Sequence, residues 1–152
     1  MTLTINKMSP ILKYTTSIPV GKTAGEIQAL LATHGANAVL MEYDQGGVIA
    51  LSFKLATPQG EAGFRLPVNA QAILKVLERD GVERRYRTYE HAQRVAWRII
   101  KDWVASQVAL VEAEMVRMEE VFMPYLLVTP KQTLFERWES GQLRLGPGKE
   151  GN

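Results

Sequence analysis

Residues 38–55 read AVLMEYDQGGVIALSFKL and decide the fold. Two apolar runs of strand length, 38–43 and 48–55, flank the turn sequence 44–47, which contains two glycines. Apolar runs on either side of a short glycine-containing turn are typical of an antiparallel β-hairpin. We therefore place this hairpin at the centre of a small antiparallel sheet.

One further strand is predicted on each side of the hairpin. Residues 58–60 predict a turn into a strand over 61–66, and the alternation of apolar and polar residues over 11–18 predicts a strand before the hairpin. Pro19 ends that first strand, because proline has no N–H to offer to a sheet ladder.

Two short helices are predicted between and after these strands. The capping-box pattern at 23–26 opens one helix, which Gly35 ends, and Asn69 opens the other, which Gly81 ends. The predicted order over 11–81 is β-α-β-β-β-α. This is an α+β fold, in which a small antiparallel sheet carries helices on one face.

The second half of the chain is predicted to be dominated by one long amphipathic α-helix. Residues 88–122 contain neither Gly nor Pro, Thr88 is a suitable N-cap, and Pro124 ends the helical pattern. A helix of this length spans about 52 Å, so we expect part of it to extend beyond the sheet. A second capping-box pattern, at 133–136, predicts a short C-terminal helix.

Length and composition indicate one globular domain. The chain has 152 residues, of which 46% are hydrophobic and 22% charged, and these values are typical of globular domains. We assign the domain to 11–139, with an N-terminal extension at 1–10 and a flexible, glycine-rich tail at 140–152.

The composition also excludes several kinds of chemistry. The sequence has no Cys and two His, which excludes disulfides, thiolate metal sites and a cysteine nucleophile. We therefore predict no cofactor and no metal, and we favour a binding protein over an enzyme. The sequence shows neither a signal peptide nor an apolar stretch of about 20 residues, so we expect a cytoplasmic protein without a membrane partner.

Charge is distributed unevenly along the chain. Residues 79–101 carry seven basic and three acidic side chains, a net charge of +4, whereas 102–139 carry three basic and seven acidic side chains, a net charge of −4. Within the basic segment, side chains at spacings of 4, 3, 4 and 3 fall along one line of a helix. We expect this line to be an exposed cationic ridge, formed by Arg87, His91, Arg94, Arg98 and Lys101.

The cationic ridge predicts an anionic partner. Arg84 and Arg85 precede the helix N-terminus, where acidic residues are usual, and guanidinium groups bind phosphate through paired hydrogen bonds. Tyr86 and Tyr89 lie among these arginines and are candidates for stacking on bases. Nucleic acid or another polyanion is thus the first functional hypothesis. The alternatives are pairing in solvent with the chain's own carboxylates, Glu83, Glu90 and Asp102, and contact with an acidic protein.

An apolar stripe runs along the rest of the long helix. Its members recur at spacings typical of a coiled-coil contact face: Trp97, Val104, Val108, Val111, Met115, Met118 and Phe122. The stripe packs either on the chain's own sheet or on a second copy. The second option gives the alternative function, an oligomeric protein-interaction module that uses this stripe and an acidic patch (Glu112, Glu119 and Glu120), for example to inhibit a host defence enzyme.

Five strings carry a resemblance to known sequences: TAGEIQ at 23–28, FRLP at 64–67, RRYRT at 84–88, RVAWRIIKDW at 94–103 and EMVRMEEVFMPY at 114–125. With them the chain resembles, over most of 11–138, a family of small phage, prophage and environmental proteins without an assigned function. The resemblance implies a phage accessory role, such as genome handling or the blocking of a host defence. It implies no functional residues.

Overall fold

A computed structural model describes residues 11, 13–45, 47–143 and 146 and confirms an α+β fold. The predicted extension at 1–10 and most of the predicted tail lie outside the described residues. The elements are α1 (Val20–Thr33), β1 (Ala36–Asp44), β2 (Gly47–Thr57), β3 (Gly60–Arg65), α2 (Ala70–Asp80), α3 (Tyr89–Glu112), α4 (Met118–Val121), β4 (Leu127–Thr129), β5 (Gln132–Thr133) and α5 (Leu134–Glu139), with 3₁₀ turns at Arg84–Tyr86 and Met123–Tyr125.

The central sheet is an antiparallel meander in the order β1-β2-β3. Phe53 in β2 pairs with Val39 on one side and with Phe64 on the other. The three strands predicted between 38 and 66 are confirmed, with bounds that differ by one or two residues. β4 and β5, which are too short to leave a sequence pattern, form a second small hairpin that joins β3 through a bridge between Phe64 and Leu126.

Helices α1 and α3 cover one face of the sheet and form the main core with it. The ring of Phe53 stacks on Phe64 with centroids 5.2 Å apart and meets Phe122 edge to face at 5.3 Å. The helices contribute buried apolar side chains to the same cluster, among them Ile27, Leu31, Trp97, Ile100 and Val104. Because burial of apolar surface is the main stabilising term, this cluster fixes how α3 lies on the sheet.

A second, smaller cluster holds α2 against α3. It contains Leu77, Val82 and Ala92, with Tyr14 and Tyr86 packed at its edge. The first half of α3 therefore has packed neighbours on several sides.

The capping residues that the sequence indicates for α2, α3 and α5 are confirmed. Asn69 accepts a hydrogen bond from the Ala72 N–H, and Thr88 accepts one from the His91 N–H. Thr133 forms a complete capping box with Glu136. Gly81 ends α2 in the left-handed conformation, with a φ of 63°, which glycine adopts without steric cost.

The predicted strand at 11–18 is wrong. Lys13–Thr15 is a turn, and residues 16–19 form no sheet ladder in the part of the chain that the structure describes. The Ile18 N–H instead binds the Thr16 hydroxyl. Local bonds of this kind compete with strand pairing, so the order of the first elements is α-β-β-β-α.

The predicted start of α1 is also wrong. The helix begins at Val20, directly after Pro19, which gives no side-chain cap. Thr23 lies inside the first turn, fully buried, and its hydroxyl donates to the Pro19 carbonyl at 3.4 Å. The 23–26 pattern is therefore not a cap, and Glu26 is left to bind elsewhere.

The single helix predicted over 88–122 is interrupted. α3 ends at Glu112, and Glu114 adopts a left-handed φ of 59°. The Glu114 N–H donates to the Val111 carbonyl at 2.9 Å, and the Met115 N–H donates to the Leu110 carbonyl at 3.0 Å. This pair of bonds is a Schellman motif, which normally has glycine at the left-handed position. The turn allows Met118 and Phe122 to pack over the sheet.

Candidate functional site

The predicted cationic ridge is not an exposed surface. Arg98 is 8% exposed and His91 is buried, because this side of α3 packs against α1 and the segment before it. Arg98 Nη1 donates to Glu26 Oε1 at 2.6 Å and to Thr23 Oγ1 at 3.0 Å. The proposal of an exposed ridge is thus wrong for its two central members. The alternative of pairing with the chain's own carboxylates holds for Glu83 with Arg85 and for Glu90 with Arg94. Arg98 also pairs within the chain, but with Glu26, a partner that the sequence analysis did not name.

Glu26 is the counter-charge in the seam between α1 and α3. The hydrogen bond from Arg98 lowers the pKa of the Glu26 carboxyl, and the charges of Arg98, Lys101 and Lys22 lower it further, against the opposing effect of burial. A guanidinium group enters a packed interface only with a partner of opposite charge. Lys101 is half-buried beside the same carboxylate. Two of the five ridge positions, Arg98 and Lys101, therefore lie at the contact between α1 and α3.

His91 connects α3 to the segment before α1 through a hydrogen bond. Its Nε2 atom is hydrogen-bonded to the Tyr14 carbonyl, and its Nδ1 atom lies 3.3 Å from Arg94 Nη2. A guanidinium nitrogen only donates, so Nδ1 accepts and the ring proton lies on Nε2. His91 is therefore a structural residue and not a phosphate contact. Arg94 is half-buried beside it and lies 3.7 Å from Glu90.

The arginines that remain exposed lie in the connection between α2 and α3. We call residues 81–88 the arginine connection; its exposed cations are Arg84, Arg85 and Arg87. Arg85 forms an ion pair of 3.3 Å with Glu83, and both side chains are well exposed. Neither Arg84 nor Arg87 has an ion-pair partner among the residues that the structure describes. Exposed pairs contribute little free energy, so all three guanidinium groups are open to a ligand.

The two tyrosines differ in what they can do. Tyr86 is half-buried: its ring meets Tyr14 edge to face at 5.8 Å, lies 5.0 Å from His91, and carries the Arg85 guanidinium 4.7 Å from its centroid. These neighbours leave it poorly placed for base stacking, contrary to our prediction. Tyr89, at the first position of α3, is exposed and lies next to the arginine connection.

The apolar stripe predicted as an interface is part of the chain's own core. Trp97, Val104, Val108, Met118 and Phe122 are buried against the sheet, and Val111 packs partly buried beside them. Met115, in the turn after α3, is 69% exposed and is the exception. The coiled-coil interpretation is therefore wrong, because the sheet occupies the face that a second helix needs.

Sequence reasoning missed the Arg98–Glu26 pair, although a signal was present. Around Arg98, α3 carries apolar residues on several sides, at Ala92, Val95, Ala96 and Ile100. A helix with apolar residues on most sides is a buried helix, so a charge within it needs an internal partner. The sequence does not show which carboxylate on another element supplies it.

No protein-family model, curated protein or solved structure matches the chain. Among the described residues, no helix is both long and apolar enough to cross a membrane. The same part of the chain contains no group of three or more His, Asp or Glu residues arranged to hold a metal ion.

Proposed function

We propose that the protein is a non-enzymatic accessory protein that binds nucleic acid or another polyanion through the arginine connection and the start of α3. The observation that carries the proposal is the presence of three exposed arginines within four residues, of which Arg84 and Arg87 have no carboxylate partner in the described structure. Phosphate satisfies guanidinium donors through paired hydrogen bonds.

The local structure supports a phosphate-binding role for this surface. A 3₁₀ turn spans Arg84–Tyr86, and the neighbouring N-terminus of α3 adds partial positive charge. Arg85 is released from Glu83 at a cost of about 0–1 kcal/mol, the range for exposed pairs. Tyr89 adds an aromatic face on which a base could stack.

The proposed surface is smaller than the predicted ridge. Arg98 and His91 are excluded by burial, and Arg94 and Lys101 remain only as flanking charges. We therefore expect about three phosphate contacts, which corresponds to a decrease of about 2–3 log units in affinity per log unit of salt.

Binding is tested by fluorescence anisotropy with a labelled single-stranded 20-nucleotide DNA and its duplex. We expect Arg84→Glu with Arg87→Glu to abolish binding and to leave thermal stability unchanged. The matched control is Lys75→Glu with Lys131→Glu, which makes the same change in net charge at exposed sites outside the arginine connection and is expected to keep most of the affinity. Absence of binding by the wild-type protein, or equal losses in both double variants, would refute the proposal.

A protein-interaction module is the second candidate function, on a different surface from the one predicted. A groove of about 580 Å³ lies between the end of α1 and the turn after α3. Its lining includes Met115, three carboxylates and two basic residues: Glu114, Glu119, Glu120, His34 and Arg117. Its exposed methionine and its excess of carboxylates over the single arginine favour a basic protein partner. A role in phage biology rests on the sequence resemblance and stays a prediction.

A further inference from the structure

Strand β1 has a free edge along its whole length. It is the outer strand of the sheet, and none of its nine residues is buried. Apart from the ladder with β2, its backbone groups form no hydrogen bond in the described part of the chain. The opposite edge of the sheet is partly covered, since Phe64 in β3 forms a bridge with Leu126.

The middle of this edge lacks the features that usually prevent strand pairing. Natural sheets protect their edges with Lys, Pro, short strands or bulges, but β1 reads ANAVLMEYD and is nine residues long. Its one extra residue lies at the start, between Ala36 and Ala38, and a second irregularity of the ladder lies between Glu42 and Tyr43, where β2 carries an extra residue. From Ala38 to Glu42, the segment that the pairing uses, the strand is regular. Leu40, near the middle, is 61% exposed.

We propose that a second copy of this chain pairs with the free edge of β1 through its own β1, antiparallel and with Leu40 opposite Leu40, to form a continuous six-stranded sheet. Such an interface is isologous, since the same strand contributes to both sides of a two-fold axis. It covers the exposed Leu40 and satisfies the open backbone groups of both strands. The proposal is independent of polyanion binding.

Charge complementarity selects this arrangement. With Leu40 opposite Leu40, Glu42 lies opposite Ala38 of the second copy, and Ala38 is the register partner of Lys54. Two strand spacings separate Lys54 from that Glu42, about 10 Å between backbones, and the Ala38 side chain between them is small. Each long Lys54 side chain can therefore reach Glu42 of the other copy. A parallel pairing in register would instead bring Glu42 and Asp44 beside their own copies, which is unfavourable.

The open face of the sheet is compatible with this pairing. Ala38, Leu40, Ser52, Lys54 and Arg65 line a shallow depression of about 470 Å³ on the face that α1 and α3 leave uncovered. Glu42 lines it too and accepts a hydrogen bond from Arg65 at 3.0 Å, which leaves its second carboxylate oxygen for Lys54 of the other copy. In the dimer the two depressions join across the leucine pair.

The test is sedimentation velocity of the protein alone, without nucleic acid, from about 1 to 200 µM, a range suited to a small interface. We expect reversible dimerisation for the wild-type chain. Leu40→Lys places two ammonium groups at the two-fold axis and is expected to weaken the dimer about 100-fold. Leu110→Lys is the matched control, since Leu110 is also a leucine, is 36% exposed and lies in α3, outside the sheet. It is expected to leave the dimer unchanged.

Two further measurements keep the test independent of folding defects. Lys54→Glu, at an exposed position, is expected to weaken the dimer about tenfold at low salt. Hydrogen exchange of the β1 amides is expected to slow as the wild-type concentration rises, and not to slow for Leu40→Lys. A monomer at all concentrations, a dimer that resists Leu40→Lys, or an equal loss with Leu110→Lys would each overturn the proposal. Capture of β1 by a strand of another protein, with the chain alone monomeric, would also overturn it.

Discussion

Replacing Glu114 by glycine should stabilise the protein. Glu114 occupies the left-handed position of the Schellman motif that ends α3, with a φ of 59°. For a residue with a Cβ this conformation costs about 1–2 kcal/mol, whereas glycine adopts it freely. Against this, the greater conformational entropy of glycine stabilises the unfolded chain by about 0.4–1 kcal/mol. The difference leaves a net stabilisation of about 1 kcal/mol.

The comparison that isolates the backbone effect is Glu114→Gly against Glu114→Ala. Both variants remove the same carboxylate from the end of the helix, but alanine keeps the Cβ. In urea unfolding we expect the glycine variant to exceed the alanine variant by about 1 kcal/mol, and a melting temperature higher by about 2–4 °C for a chain of this size. Equal stabilities, or a less stable glycine variant, would show that the turn after α3 does not have this geometry.

Three further predictions test the core, the seam and a helix cap. Phe122→Ala should lower the free energy of unfolding in urea by about 3–5 kcal/mol, the range for a buried aromatic side chain. Met115→Ala, at an exposed position, should change it by less than about 0.5 kcal/mol. If both variants had similarly small effects, Phe122 would not be a core residue. The pKa of Glu26 is lowered on folding, so its contribution to stability is complete above its ordinary value of 4.5 and is lost as pH falls through the lower folded value. Glu26→Gln should therefore destabilise the protein most at pH 7 and progressively less as pH falls below 4.5. An effect that does not depend on pH contradicts the pair with Arg98. Thr88→Ala should cost about 1 kcal/mol and shorten α3, as measured by unfolding and far-UV circular dichroism.

The sequence correctly predicts those elements for which the local sequence pattern and the packing in the folded chain favour the same structure. The hairpin within 38–55 has both an apolar pattern and a turn that favour the same structure, and Asn69 and Thr88 cap the helices expected of them. The strand at 11–18 fails because its alternation has no neighbouring strand with which to pair. The helix past Glu112 fails because the left-handed turn at Glu114 uses no glycine, and so leaves no local signal.

In the candidate site too, the sequence predicts local features but not contacts between distant parts of the chain. Arg84, Arg85 and Arg87 are exposed as predicted, because a short connection between two helices stays on the surface. The burial of Arg98 depends on Glu26 and Thr23, which are more than 70 residues away in the sequence. Helical spacing shows which residues share a side of a helix but not what packs against that side.

The central claim is that the arginine connection binds a polyanion. An NMR titration of the isotope-labelled protein with a single-stranded 20-nucleotide DNA tests it most directly, since every backbone amide reports separately. We expect the largest shifts at Arg84, Arg85, Arg87 and Tyr89, saturating at low salt and vanishing as salt is raised. Shifts that concentrate on the sheet or on the groove after α3, or no shifts at low salt, would contradict the claim.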